Sequence, residues 1–142
     1  MAANPISKLT TSECKQLLDE HHFGRLAFVE QVGVMIIPVN YLVYGGKIVF
    51  RTDPGAKLTA ALHGAPVAFE VDGIQKQQQV GWSVVVQGHV QEVTETTELD
   101  ELRKTPLVAW ASGAKEHYVR INPGRVSGRR INVADLPSNW WG

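Results

Sequence analysis

Lys47-Ile-Val-Phe-Arg51-Thr52-Asp-Pro-Gly55-Ala-Lys57-Leu-Thr-Ala-Ala-Leu62 reads as a strand ending in Arg-Thr, a tight Asp-Pro-Gly turn, and a helix opening beside a lysine. A strand that delivers a cation to a helix N-terminus builds an anion site, because free backbone N–H groups and the positive helix end meet there. Arg51 would grip a phosphate bidentately, Lys57 would add a point charge, and the Thr52 hydroxyl would donate a further bond. This reading predicts a phosphorylated ligand, such as the tail of a nucleotide-like cofactor. The alternative is a surface turn carrying two solvated cations.

Outward from that stretch, apolar runs alternate with turn signals. Gly45-Gly46 separates two apolar runs and predicts a hairpin. Val32 to Tyr41 is rich in branched residues but contains Pro38, which cannot donate to a central ladder, so an edge position or a bulge is expected. Gly24 to Val29 and Val67 to Val71 have strand character, and Asp72 to Gly81 reads as a polar loop. Trp82 to Val93 predicts a long strand, or two bent at Gly88, and Val119 to Ile121 and Arg125 to Ile131 predict the last strands. Three short helices are expected. The first follows the capping-box pattern Thr10-Thr-Ser-Glu13 and runs to about Glu20; the others cover Ala56 to His63 and Thr94 to Lys104. Six or more short strands with so few helices do not fit a doubly wound parallel sheet; an antiparallel barrel with helices at its rim does.

Composition narrows the function classes. The 142 residues suit one domain with a real core, expected over residues 5–131 with a tail at 132–142. Formal net charge is zero, which speaks against nucleic acid as a partner. The single cysteine excludes an intramolecular disulfide and a multi-thiolate metal site. No apolar run approaches the roughly 20 residues needed to span a bilayer. Met1 to Lys8 lacks the apolar core of a signal peptide, so a cytoplasmic protein is expected.

The order of motifs resembles the flavin-binding split-barrel family, the pyridoxamine 5′-phosphate oxidase-like proteins, in their small actinobacterial-style branch. The resemblance is carried by Gly24-Arg-Leu-Ala-Phe, Pro38-Val39-Asn40-Tyr, and Ile48-Val-Phe-Arg51-Thr52-x-x-Gly-x-Lys57-Leu. It continues in Pro66-Val-Ala-Phe-Glu-Val-Asp72, Gly81-Trp82-Ser-Val-Val-Val-x-Gly88 and Val126-x-Gly128-Arg-Arg-Ile131. It implies a mainly β fold: a six-stranded antiparallel split barrel with short peripheral helices, forming a homodimer with two cofactor sites at the subunit interface. It implies that Arg51, Thr52 and Lys57 take the phosphate of FMN, that the ring lies along Pro38, Val39 and Asn40, and that Trp82 belongs to a wall contributed across the interface. Other branches of the fold hold a deazaflavin or haem in place of FMN. The chain lacks the extra basic residues with which true pyridoxamine phosphate oxidases hold the substrate phosphate, which speaks against vitamin oxidation.

Each residue also has a plainer reading. Thr52 serves equally as the cap of the following helix, and Pro38 and Asn40 as the formers of a bulge. His21, His22 and His63 sit near helix ends, where a partial positive charge is favourable. His89 and His117 lie on strand or polar segments, and no pair of histidines has metal-ligand spacing. Any one of the five would be the candidate axial ligand if haem were bound. Cys14 falls on the apolar face of the first helix and reads as a core residue. Trp110 either lines a pocket or packs, and Trp140 and Trp141 dock on a partner or over the pocket. No nucleophile–base pair is present, as suits chemistry carried by a flavin. The expected function is a flavin-dependent oxidoreductase passing a hydride or electrons to a small organic acceptor. A deazaflavin-dependent reductase, and a haem-binding carrier, sensor or haem-degrading protein, are the alternatives.

Overall fold

The computed structural model describes residues 6–52, 64–107 and 117–132. The first helix, α1 (Thr11–Glu20), begins where the capping box predicts. The Thr10 hydroxyl accepts from the Glu13 N–H at 3.1 Å, and Glu13 Oε1 accepts from the Thr10 N–H at 3.0 Å. These bonds to Thr10, with Arg130 behind them, hold the Glu13 carboxyl below its ordinary range. The helix buries Cys14 and Leu18, four residues apart on one face.

The strands are β1 (Ile6–Lys8), β2 (Phe23–Glu30), β3 (Gly33–Asn40), β4 (Leu42–Tyr44), β5 (Lys47–Thr52), β6 (Pro66–Gln75), β7 (Val80–Glu92) and β8 (His117–Asn132). They form one antiparallel sheet in the order β3-β2-β6-β7-β8-β5-β4, with β1 on β8. The expected six strands are therefore eight; the two additions, β1 and β4, are only three residues each. Among the described residues no ladder joins β3 to β4, so hydrogen bonding does not close the sheet into a full barrel. A second helix, α2 (Thr96–Arg103), follows β7 as the sequence predicts. The helix expected over Ala56 to His63 lies outside the described residues, as do Trp110, Trp140 and Trp141.

Pro38 sits on an edge strand, opposite Arg25, where its missing donor costs nothing on the open side. Gly45 and Gly46 have φ of 58° and 75°, so both centre residues of the β4–β5 turn are left-handed, as a two-residue hairpin requires. Two expectations need correction. Asp72 to Gly81 is not a loop: β6 runs to Gln75 and β7 starts at Val80, leaving a four-residue turn in which Gln79 has φ 54°. The final two strands are one, because the register shift at Gln87/Gly88 on β7 lets β8 pass Pro123-Gly124 without breaking.

The sheet buries apolar residues on both faces. Leu26, Phe69, Val84, Val86, Phe50 and Ile121 fill the main core, which α1 covers with Cys14 and Leu18. Val49, Val93, Leu102, Leu107 and Tyr118 form a second cluster beneath α2. Strand β5 serves both, with Ile48 and Phe50 toward one and Val49 toward the other.

Candidate functional site

Arg51 is on the face of β5 that looks toward the second cluster. Its register partner is Tyr118 on β8, and its guanidinium lies over the Tyr118 ring, 5.4 Å from the centroid. Its Nη1 also donates to the carbonyl of Leu107 at 3.2 Å. Tyr118 and Leu107 are both buried, so the cation is held half-buried against an aromatic face and a carbonyl.

Leu107 is also a wall of a cavity of about 500 Å³ at the β3–β4 corner, together with His22, Asn40, Tyr44, Thr105 and Pro106. This volume is within the range that accepts cofactor-sized ligands. Its frame is rigid. Tyr41 Oη donates to the Leu18 carbonyl at 2.7 Å, its N–H donates to the His22 carbonyl at 2.9 Å, and its ring meets Phe69 edge-on at 4.8 Å. Burial pushes the Tyr41 hydroxyl well above the usual tyrosine range, so it remains a neutral donor. Thr105 bonds the Leu102 carbonyl through both its N–H and its hydroxyl, which fixes the turn after α2 that carries Pro106 and Leu107.

Asn40 lines this cavity; Arg51 is not part of its lining but bonds the carbonyl of Leu107, which is. Val39 is buried in the main core, and Pro38 is exposed on the outer face of the sheet. Thr52 ends β5, paired in register with His117. Lys57 lies outside the described residues. Trp82 is 7% exposed and packs in the main core, its ring lying under Gly73 and 4.7 Å from the ring of His21. His21 is fixed in turn by a 2.7 Å bond between its Nδ1 and the Leu17 carbonyl.

Sequence reasoning missed three parts of this corner. Thr105 to Leu107 reach the cavity only through the fold, just past the helix expected over Thr94 to Lys104. Tyr118 carried no signal beyond alternation on β8. The third is His117, whose Nδ1 bonds the Glu92 carboxylate beside the end of β5. Among the described residues no group of three or more His, Cys, Asp or Glu side chains converges as a metal site. None of the described helices is long and apolar enough to cross a membrane.

The pyridoxamine 5′-phosphate oxidase family model matches residues 10–130. An uncharacterized protein of Mycobacterium tuberculosis is 34% identical over 139 residues, covering 94% of this chain and 90% of that protein. The crystal structure of a Corynebacterium glutamicum protein superposes with a TM-score of 0.80 at 30% identity, covering 92% of this chain and 96% of its own. The structure of an FAD-binding protein from Mycobacterium smegmatis superposes with a TM-score of 0.76 at 34% identity, covering 88% and 98%.

Proposed function

Because the chain belongs to the pyridoxamine 5′-phosphate oxidase family, we propose that it binds a flavin and acts as an oxidoreductase on a small organic acceptor. The observation that carries this reading is the juxtaposition at the β3–β4 corner: a cavity of about 500 Å³ lined by Asn40, with the Arg51 cation held at its Leu107 wall. An aromatic-rimmed cavity with a few polar groups and a fixed cation suits a planar ring bearing a phosphate. The FAD-binding Mycobacterium smegmatis neighbour supports the flavin.

In this reading Arg51, Thr52 and Lys57 hold the flavin phosphate. Asn40 lies beside the ring, and the backbone of the Pro38-Val39-Asn40 stretch meets its polar edge, the Val39 side chain staying in the main core. Trp82, buried in the main core against His21, does not reach this cavity. A bound flavin supplies the hydride or electron transfer. The chain's own residues bind and orient it, and Tyr41 keeps that wall in place. FMN is the first cofactor to test; FAD shares its ring and phosphate, and a deazaflavin would use the same groove. The protein would work in the cytoplasm as a homodimer with the cofactor at the subunit interface.

His22 lines the cavity, and its imidazole would be the ligand for a haem iron there, which keeps a haem-binding carrier or sensor as the second reading. One titration separates them. The purified protein is titrated with FMN, FAD, deazaflavin and hemin while its absorption spectrum is followed. Saturable flavin or deazaflavin uptake is the expected result. A Soret band with no flavin uptake would replace this reading with the haem one, and uptake of neither would remove both.

A further inference from the structure

The outer face of the sheet carries a charge imbalance that its own copy can correct. Arg25 on β2 and Glu70 on β6 are register partners, and Arg25 Nη1 donates to Glu70 Oε1 at 3.1 Å and to Asp72 Oδ2 at 2.8 Å. Two carboxylates thus share one guanidinium nitrogen and are one cation short. The groups facing Glu70 are Arg25 from β2, Asp72 from its own strand, and uncharged Val85 and Ser83 from β7. Burial, and then the Asp72 carboxylate, push the Glu70 carboxyl up to about 7 despite Arg25.

The complementary charges lie across β7 on the same face. Asp72 is in register with Ser83, and Ser83 with Arg129; Gln87 is in register with Arg125. Both arginines are exposed, and among the described residues neither pairs with a carboxylate. A two-fold axis parallel to β7 would lay each acidic pair on the partner's Arg129 side, the isologous arrangement of a symmetric dimer. The formal net charge of zero means that two copies approach without overall repulsion. The same face has apolar surface to bury. Val29, Val34 and Ile36 are 72%, 73% and 63% exposed, and Ala27, Ala68 and Arg125 line an apolar trough of about 540 Å³.

We propose that a second copy of this chain docks on the β2–β6–β7–β8 face, with its Arg125 and Arg129 completing the charge of the Arg25–Glu70–Asp72 cluster. This rests on the homodimer part of the functional reading and assigns the face and the residues that make it. A second cation beside Glu70 favours its ionised form, so docking releases a proton. The dimer tightens as pH rises through about 7 and loosens with salt.

The test is sedimentation of the full chain between pH 6 and pH 8, at low and high salt. The wild-type dimer dissociation constant is expected to fall by about tenfold or more over that range, which corresponds to half a pKa unit or more at each of two sites. Glu70→Gln should flatten the profile. Arg125→Glu with Arg129→Glu, both on exposed positions, should weaken the dimer at pH 8 by at least about tenfold; Ala68→Arg at the centre of the face should do the same. A dimer that ignores pH and all three changes has its interface elsewhere, which overturns this assignment and leaves the homodimer reading standing. A protein that stays monomeric throughout overturns both.

Discussion

The Arg51 guanidinium rests over the Tyr118 ring at 5.4 Å and points one N–H at the Leu107 carbonyl, 3.2 Å away. A long cationic side chain on a strand end would otherwise sample many rotamers. Here an aromatic face and a carbonyl hold it before any ligand arrives, so less entropy is lost on binding an anion. Tyr118→Leu keeps the apolar packing of the second cluster but removes the ring's attraction for the cation, about 0.5–2 kcal/mol. FMN affinity should fall between about twofold and thirtyfold, measured by flavin fluorescence quenching. Riboflavin, which has no phosphate, should bind as before. An equal loss for both ligands would place the effect on the ring pocket instead.

Glycine at position 88 is a steric requirement of the β7 irregularity. A Cβ added there would lie 2.0 Å from the Asn122 carbonyl oxygen and 2.9 Å from its carbon, both backbone atoms that cannot rotate away. Gly88→Ala should destabilise the fold by about 3 kcal/mol or more, at the upper end of overpacking costs. Urea unfolding at pH 7 measures it. A loss under about 1 kcal/mol would mean that the register shift is free to move.

Glu70 gives stability a pH signature. Its folded carboxyl titrates at about 7 against an ordinary 4.5, so the folded protomer binds the proton more tightly than the unfolded chain. Stability from this group is fully present below 4.5 and is lost as pH rises through 7. The melting temperature of Glu70→Gln minus that of wild type should therefore grow between pH 4.5 and pH 6.5, in dilute protein by calorimetry or near-UV circular dichroism. A difference that stays flat or shrinks would contradict the shared-guanidinium account.

Local chemistry made some of this legible before the structure. The capping box at Thr10 and Glu13, the Gly45-Gly46 hairpin and the edge placement of Pro38 each depend on neighbours in sequence, and each stands in the fold. Asp72 to Gln75 misled because a strand whose outer face is charged and exposed looks like a loop when one face alone is buried. Pro123-Gly124 misled because it reads as a break, yet β8 runs through it with Gly124 as the extra residue opposite Gln87 and Gly88. At the site, Asn40 and Arg51 were readable as candidates, whereas the Leu107 wall, Tyr118 and the Arg25–Glu70–Asp72 cluster were not. Those arise from partners 45 to 67 residues apart in the chain, distances at which only the register of the sheet decides what meets.

In the proposed function a flavin phosphate is held at Arg51 with Lys57. The most direct measurement is the binding of FMN and of riboflavin to wild type and to the Arg51→Ala, Lys57→Ala double variant, by fluorescence titration at matched ionic strength. Charge-assisted hydrogen bonds contribute about 1.5–3 kcal/mol each. Wild type should therefore prefer FMN to riboflavin, the double variant should lose at least about a hundredfold in FMN affinity, and riboflavin binding should be unchanged. Undiminished FMN affinity in the double variant would contradict that placement of the phosphate.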